Sequence, residues 1–172
     1  MRGLAVAVAV ASLSVLSVGC GADPTQLGYT PARMDPDPVR KKTREVSSRL
    51  VEMTGVKGRV TESHMSGGNC DTYGGDDRFM MHHSWSLYGL TGDQVGNGME
   101  TLHKALVENG WTIISETKAD SSDQHAEIYA ANEAEHFSVM ATLKRGDREP
   151  RFDFSVHSAC YRAASAYAAN HA

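Results

Sequence analysis

The chain is short of positive charge, of aromatic residues and of cysteine. Its 17 Lys and Arg are outnumbered by 21 Asp and Glu, a net charge of −4. Nucleic acid is therefore not expected as a partner, because neutralising phosphates takes a basic patch and a favourable overall field. Aromatic residues make up only 7% of the chain. The three cysteines, Cys20, Cys70 and Cys160, contain no C-x-x-C pair, so neither a zinc ribbon nor a thioredoxin-type redox motif is present. There is no G-x-S-x-G, no H-E-x-x-H and no phosphate loop ending in Gly-Lys-Ser/Thr. No cofactor is expected, and no catalytic residue is assigned. What is there, 41% hydrophobic and 22% charged residues in 172, has the balance of one globular domain.

The first nineteen residues are different in kind. Arg2 is followed by an uncharged, Ala- and Val-rich run, Gly3–Val18, diluted by Ser12, Ser14 and Ser17. A transmembrane span needs about 20 strongly apolar residues, so this run reads as a secretory signal with a short cationic start and small residues before the cut. Ser17-Val18-Gly19-Cys20 resembles a bacterial lipobox, departing from it at Ser17, where the pattern favours the Leu that stands one place earlier as Leu16. The resemblance implies that Cys20 becomes the acylated first residue of the mature chain. The protein would then sit at the cell membrane, lipid-anchored on its extracytoplasmic side. The chain as a whole resembles small bacterial lipoproteins of actinobacterial type, a likeness that supplies no mechanism.

Residues 20–36 hold Pro24, Pro31 and Pro36 among polar residues with no period, and read as a tether. A coil of this length spans about 23 Å on average. The folded domain is expected over 37–160, with 161–172 an Ala-rich tail that is either a short helix or frayed. Asp37-Pro38 reads as an N-cap followed by a first-turn proline. Val39, Val46, Leu50 and Met53 form one stripe, and Gly55 ends that helix. Arg40, Lys41, Lys42 and Arg44 crowd its first turns, either as a solvated face or as attraction to anionic headgroups. A second helix begins at Thr91-Gly92-Asp93, with Val95, Met99, Leu102 and Leu106 as its stripe. Gly98 lies on that stripe, where a missing side chain allows close approach to a sheet.

Elsewhere the period is two. Phe79, Met81, His83, Trp85 and Leu87 share a face, as do Phe137, Val139, Ala141 and Leu143, and Phe152, Phe154, Val156 and Ser158. Further strands are expected near Val56–Met65, Trp111–Lys118 and Gln124–Ala131. The fold class is therefore α+β: an antiparallel sheet of five to six strands, one face wet, with two helices packed on the other, in the order α-β-β-α-β-β-β-β.

With Cys20 consumed by lipid, Cys70 and Cys160 pair as a disulfide in an exported protein. Their loop of about 90 residues sets a chain-entropy stabilisation of at most 4 to 5 kcal/mol. Asp71, Asp76 and Asp77 read as turn chemistry, since their spacing does not match a calcium loop. Hairpin turns at "NEAE" and "RGDREP" allow Glu127, Ser138 and His157 to lie abreast on neighbouring strands, a weak hydrolase reading. His64, His82, His125, His136 and His157 fall on polar sides of strands, where two or three of them meeting would suit Zn or Cu. His83, on the apolar side, reads as a core histidine. The leading expectation is non-enzymatic: a face carrying His125, Glu127, Tyr129, His136, Asp153 and His157 that binds an envelope protein or a small ligand.

Overall fold

The computed structural model describes residues 29–70, 75–118 and 125–172. Cys20 and Asp71, with the expectations that rest on them, lie outside the described residues. The described residues form an α+β fold of three helices and an eight-stranded antiparallel sheet. The elements are α1 (Pro36–Met53), β1 (Arg59–Val60), β2 (His64–Asn69), β3 (Arg78–Tyr88), α2 (Gly92–Glu108), β4 (Thr112–Thr117), β5 (His125–Asn132), β6 (Phe137–Lys144), β7 (Arg151–Ser158), β8 (Tyr161–Arg162) and α3 (Ala166–Asn170). The sheet order is β1-β3-β7-β6-β5-β4, with β2 and β8 also paired to β3.

The element count and order differ from the sequence expectation in two places. The stretch expected as one strand near 56–65 splits into β1 and β2, which pair with opposite ends of β3. Thr61 bridges the break, its backbone N–H donating to the Ser86 carbonyl and its hydroxyl accepting from the Ser86 N–H. Residues after Cys160 are not a frayed tail. They form β8 against Arg78 and Phe79, and then α3, capped by the Ser165 hydroxyl on the Ala168 N–H.

Helix α1 begins two residues earlier than Asp37-Pro38 suggests, with Asp35 as N-cap and Pro36 in the first turn. Asp-Pro occurs twice in succession here, and proline is tolerated throughout a first turn whose N–H groups lack helical partners anyway. Tertiary contact decides between the two. The Arg162 N–H donates to Ala32 O and the Met34 N–H donates to Arg162 O, so the chain is already held against β8 before the helix starts. The order of the domain thus extends back to Tyr29, whose hydroxyl oxygen accepts from the Cys160 N–H at 2.8 Å.

Helix α2 starts on a complete capping box: Thr91 Oγ1 accepts from the Gln94 N–H, and the Gln94 side chain accepts from the Thr91 N–H. Both long helices lie on one face of the sheet. Val46 and Leu50 from α1, and Val95, Met99, Leu102 and Leu106 from α2, share a core with Trp85, Leu87, Ile128, Val139, Phe152, Phe154 and Val156. A smaller cluster joins Val39, Phe79, Met81, Tyr161 and Ala169 under α3. Each fully buried Leu or Phe contributes on the order of 1.5–3 kcal/mol of transfer free energy. At Gly98, an added Cβ would lie 3.0 Å from the Phe152 ring and 3.2 Å from Val56, so the absent side chain is what lets α2 approach β7.

Cys70 and Cys160 are bonded to each other, with Cα atoms 6.2 Å apart and both residues buried. Asn69 and Tyr161, their immediate neighbours, pair with Phe79. The bridge therefore clamps the end of β2 and the β7–β8 corner around one end of β3.

Two stability measurements test this packing. Gly98→Val should cost about 1–3 kcal/mol by overpacking against Phe152. The same change at Gly96, which meets only the flexible end of Arg145 at 3.8 Å, should be near neutral; urea midpoints that shift equally would refute the close-approach argument. Cys70→Ala should lower stability by about 2–5 kcal/mol, read as a midpoint shift that reducing agent reproduces in the parent protein.

Candidate functional site

Alternation sends every second side chain of β3, β5, β6 and β7 away from the helices, onto the opposite face of the sheet. Hydrogen-bonded register arranges those side chains in rows. One row runs Ser66, His82, His157, Ser138 and Ala131. The next runs His64, Ser84, Ser155, Met140, Tyr129 and Ser115. A third runs Ser86, Asp153, Thr142, Glu127 and Thr117. The face thus has a histidine–serine end, an apolar centre and a charged end.

At the histidine–serine end the rings of His82 and His157 stack, with centroids 4.5 Å apart and planes 26° from parallel. Ser155 Oγ lies 2.9 Å from His82 Nε2 and 3.1 Å from His157 Nε2, and Ser84 Oγ lies 2.9 Å from His82 Nε2. One serine hydroxyl carries one proton, so Ser155 can donate to only one of the two rings and must accept from the other. Burial, and then the neighbouring His82, push the pKa of His157 down. In the centre, Tyr129 and Met140 oppose each other directly and are 38% and 39% exposed.

At the charged end Asp153 accepts from Ser86 Oγ at 2.6 Å, from Lys144 Nζ at 3.1 Å and from Arg151 Nε at 3.1 Å. Partial burial by itself would raise the Asp153 pKa, but the Ser86 hydroxyl and the Lys144 and Arg151 cations outweigh it and hold the carboxyl below its usual range. Asp147 joins Arg151 at 2.8 Å and His125 at 3.5 Å, and Thr142 donates to Glu127. The charged groups are cross-linked before anything binds, which keeps them ordered at fixed positions.

Of the six residues expected on a binding face, His125, Glu127, Tyr129, Asp153 and His157 do share it. His136 does not. It lies in the β5–β6 turn at φ +61° and stacks on Tyr29 at 5.9 Å. The turn needs a left-handed residue there, a conformation His adopts more readily than most side chains. The Glu127, Ser138 and His157 alignment fails in one member. Ser138 opposes His157, but Glu127 opposes Thr142, four residues along β6 and about 13 Å away. The β5–β6 loop leaves Asn132 paired with Phe137, so Ser138 faces Ala131 instead.

Ser84, Ser155, Lys144 and Arg151 also belong to this face, though none was among the residues expected to bind. The alternation in "HHSWS" and "DFSVHS" shows which side the two serines take, but only the β3–β7 pairing brings them together, and the β6–β7 pairing sets Lys144 against Arg151. His83 behaves as expected: it is 6% exposed on the core side, its Nδ1 2.7 Å from Ser47 Oγ. Asp77 serves turn and strand structure, its carboxylate held by Arg162 at 2.8 Å.

A second concavity of about 720 Å³ lies between α2 and the β4–β6 side of the sheet, over Met99, Ala126 and Leu143. Its lining holds two ion pairs, Arg145 with Asp93 at 2.8 Å and His103 with Glu116 at 3.7 Å. Among the described residues, no three His, Cys, Asp or Glu side chains converge as a metal-ligand set, and no helix is long and apolar enough to cross a membrane. Comparison with protein-family models, curated proteins and solved structures finds no match to this chain.

The buried His83 predicts a pH dependence of stability. Burial, and then the Arg44 and His82 charges, lower its pKa below the ordinary 6.5. The unfolded chain therefore takes up a proton near pH 6.5 that the folded chain refuses, and stability falls as pH drops from about 6.5 towards the folded-state value. Urea midpoints between pH 8 and pH 5 should show this loss. His83→Gln should reduce the slope over the same window, and an unchanged slope would exclude His83 as its source.

Proposed function

We propose that this chain is an exported lipoprotein, anchored through Cys20 at the extracytoplasmic side of the cell membrane, whose domain binds an envelope protein or small ligand through the open face of its sheet. Two features of the fold support the reading. A disulfide between Cys70 and Cys160 suits an oxidising compartment. The carrying observation is the one-sided sheet: the described helices all cover one face, and the other presents ordered histidines, paired charges and an exposed Tyr129–Met140 centre on central strands. Aromatic and Met side chains surrounded by satisfied polar groups are the composition of recognition surfaces.

The reading is of a binding protein rather than an enzyme. Glu127 is too far along β5 to orient His157, and Ser155, the serine hydrogen-bonded to His157, also contacts His82. The face mixes both signs of charge, in keeping with a partner other than nucleic acid.

In this reading the domain sits close to the bilayer. Tyr29 is already fixed to Cys160, so the tether is the nine-residue step from Cys20 to Tyr29, with a reach of at most about 30 Å. That is roughly half the fully extended reach, about 55 Å, of a tether ending at residue 36.

Cys20→Ala should move the protein from the membrane to the soluble fraction. Cross-linking in cells, followed by mass spectrometry, should give one dominant partner that is lost on Tyr129→Ala and Met140→Ala and kept on Glu100→Ala at the α2 cleft. Retention of the Cys20→Ala protein in membranes would refute the anchor, and cross-linking indifferent to the two face substitutions would refute the binding face.

A further inference from the structure

Of the eight histidines in this chain, His82 and His157 are cross-strand neighbours whose rings stack. Five of the other six contact other groups. His83 is buried behind the sheet against Ser47, His103 lies by Glu116, and His125 lies by Asp147. His136 stacks on Tyr29, His171 is bonded to Tyr167 O, and His64 stands on the outer strand opposite Ser84. We propose that His82 and His157 form a two-histidine site for a divalent late transition metal, copper(II) being held most tightly.

The geometry points to one ion held between the two rings. Both Nε2 atoms lie within hydrogen-bond distance of a single oxygen, Ser155 Oγ. Two imidazole nitrogens therefore already address one point in space. Turning Ser155 to another χ1 rotamer frees that point. Each nitrogen, now 2.9–3.1 Å from it, must approach by about 1 Å to reach a metal–nitrogen bond of about 2.0–2.1 Å. Side-chain torsions suffice for this, because both residues stand on the open face.

Donor chemistry selects the class of ion. The site offers neutral imidazole nitrogens and a hydroxyl. The carboxylate on the same strand, Asp153, is two residues from Ser155 and held by Ser86, Lys144 and Arg151. Calcium and magnesium require a set of oxygens that is not assembled here. Imidazole suits zinc, nickel and copper, and among these the divalent order places copper(II) highest. Met140 opposes Ser155 and is diagonal to His157, within reach of a long side chain, so its thioether is the neighbouring soft donor. Two protein nitrogens leave further positions to water or to a donor on a bound molecule.

The backbone beneath the site is rigid. His82 and His157 pair directly in the middle of the sheet, and the disulfide at Cys160 lies three residues beyond His157. Cross-strand separation is thus set by the ladder and not by flexible loops, the condition for a preorganised site.

The test is calorimetric titration of the purified, disulfide-bonded protein with copper(II), nickel(II) and zinc(II) salts at neutral pH, with pulsed electron paramagnetic resonance of the copper-loaded sample. One equivalent should bind, copper most tightly, with two imidazole nitrogens coupled to the electron spin. His82→Ala and His157→Ala should each weaken copper binding about tenfold or more, and each should reduce the spectrum to one imidazole. His82→Gln and His157→Gln, which keep bulk and polarity, should do the same with an unchanged unfolding midpoint, separating lost ligation from lost fold. Ser155→Ala should bind equally or more tightly. His103→Ala and His171→Ala should stay within twofold. Copper affinity indifferent to both ring substitutions, a single imidazole in the parent spectrum, or binding that follows His103 or His171 instead would overturn the site.

Discussion

Everything in this domain depends on the pairing of β3 with β7. These strands come from opposite halves of the chain, and their register sets Trp85 against Phe154, with rings 4.9 Å apart and nearly parallel, and Leu87 against Phe152. Those four side chains are the floor on which α1 and α2 pack. The same register sets His82 against His157 and Ser86 against Asp153 on the other face. A slip of one residue would exchange the two faces of one strand, burying histidine and aspartate and exposing phenylalanine. The cost of that exchange makes the register unique.

Segments before α1 and after β7 reinforce this pairing. The disulfide fastens β2 and the β7–β8 corner around one end of β3, and the segment from Tyr29 to Met34 lies along that corner through hydrogen bonds to Cys160 and Arg162. At the sheet edge the Gly67 N–H donates to the Ala172 carbonyl, in a space where a Cβ on Gly67 would lie 2.6 Å from Ala172. Segments that look like a tether and a tail in sequence are therefore part of the clamp that holds the central strands in place. A surface meant to present ordered groups gains from such a clamp, since less freedom remains to be lost on binding.

Much of the architecture was legible in the residues. Period-two patterns located β3, β5, β6 and β7 and assigned their inner faces, because burial on one side of a sheet imposes alternation directly. Thr91 and Gln94 marked the start of α2, and Gly98 its contact with the sheet, through local rules of capping and crowding. Helix α3 falls where the Ala-rich 161–172 allowed a short helix, but the short strands β1, β2 and β8 carried no such pattern. They exist because β3 offers them hydrogen-bonding partners, which is a property of the folded chain and not of the segments.

For the candidate site the division is sharper. Alternation alone determined that His125, Glu127, Tyr129, Asp153 and His157 point to one side, and that His82 and His83 part company. Only tertiary structure decided which of them meet. The four-residue loop between Asn132 and Phe137 moved Glu127 away from Ser138, and the insertion of β7 between β3 and β6 brought Ser155 and His157 against His82. Side-chain direction in a strand follows from the stereochemistry of consecutive residues, whereas strand neighbours and their register follow from how the whole core closes.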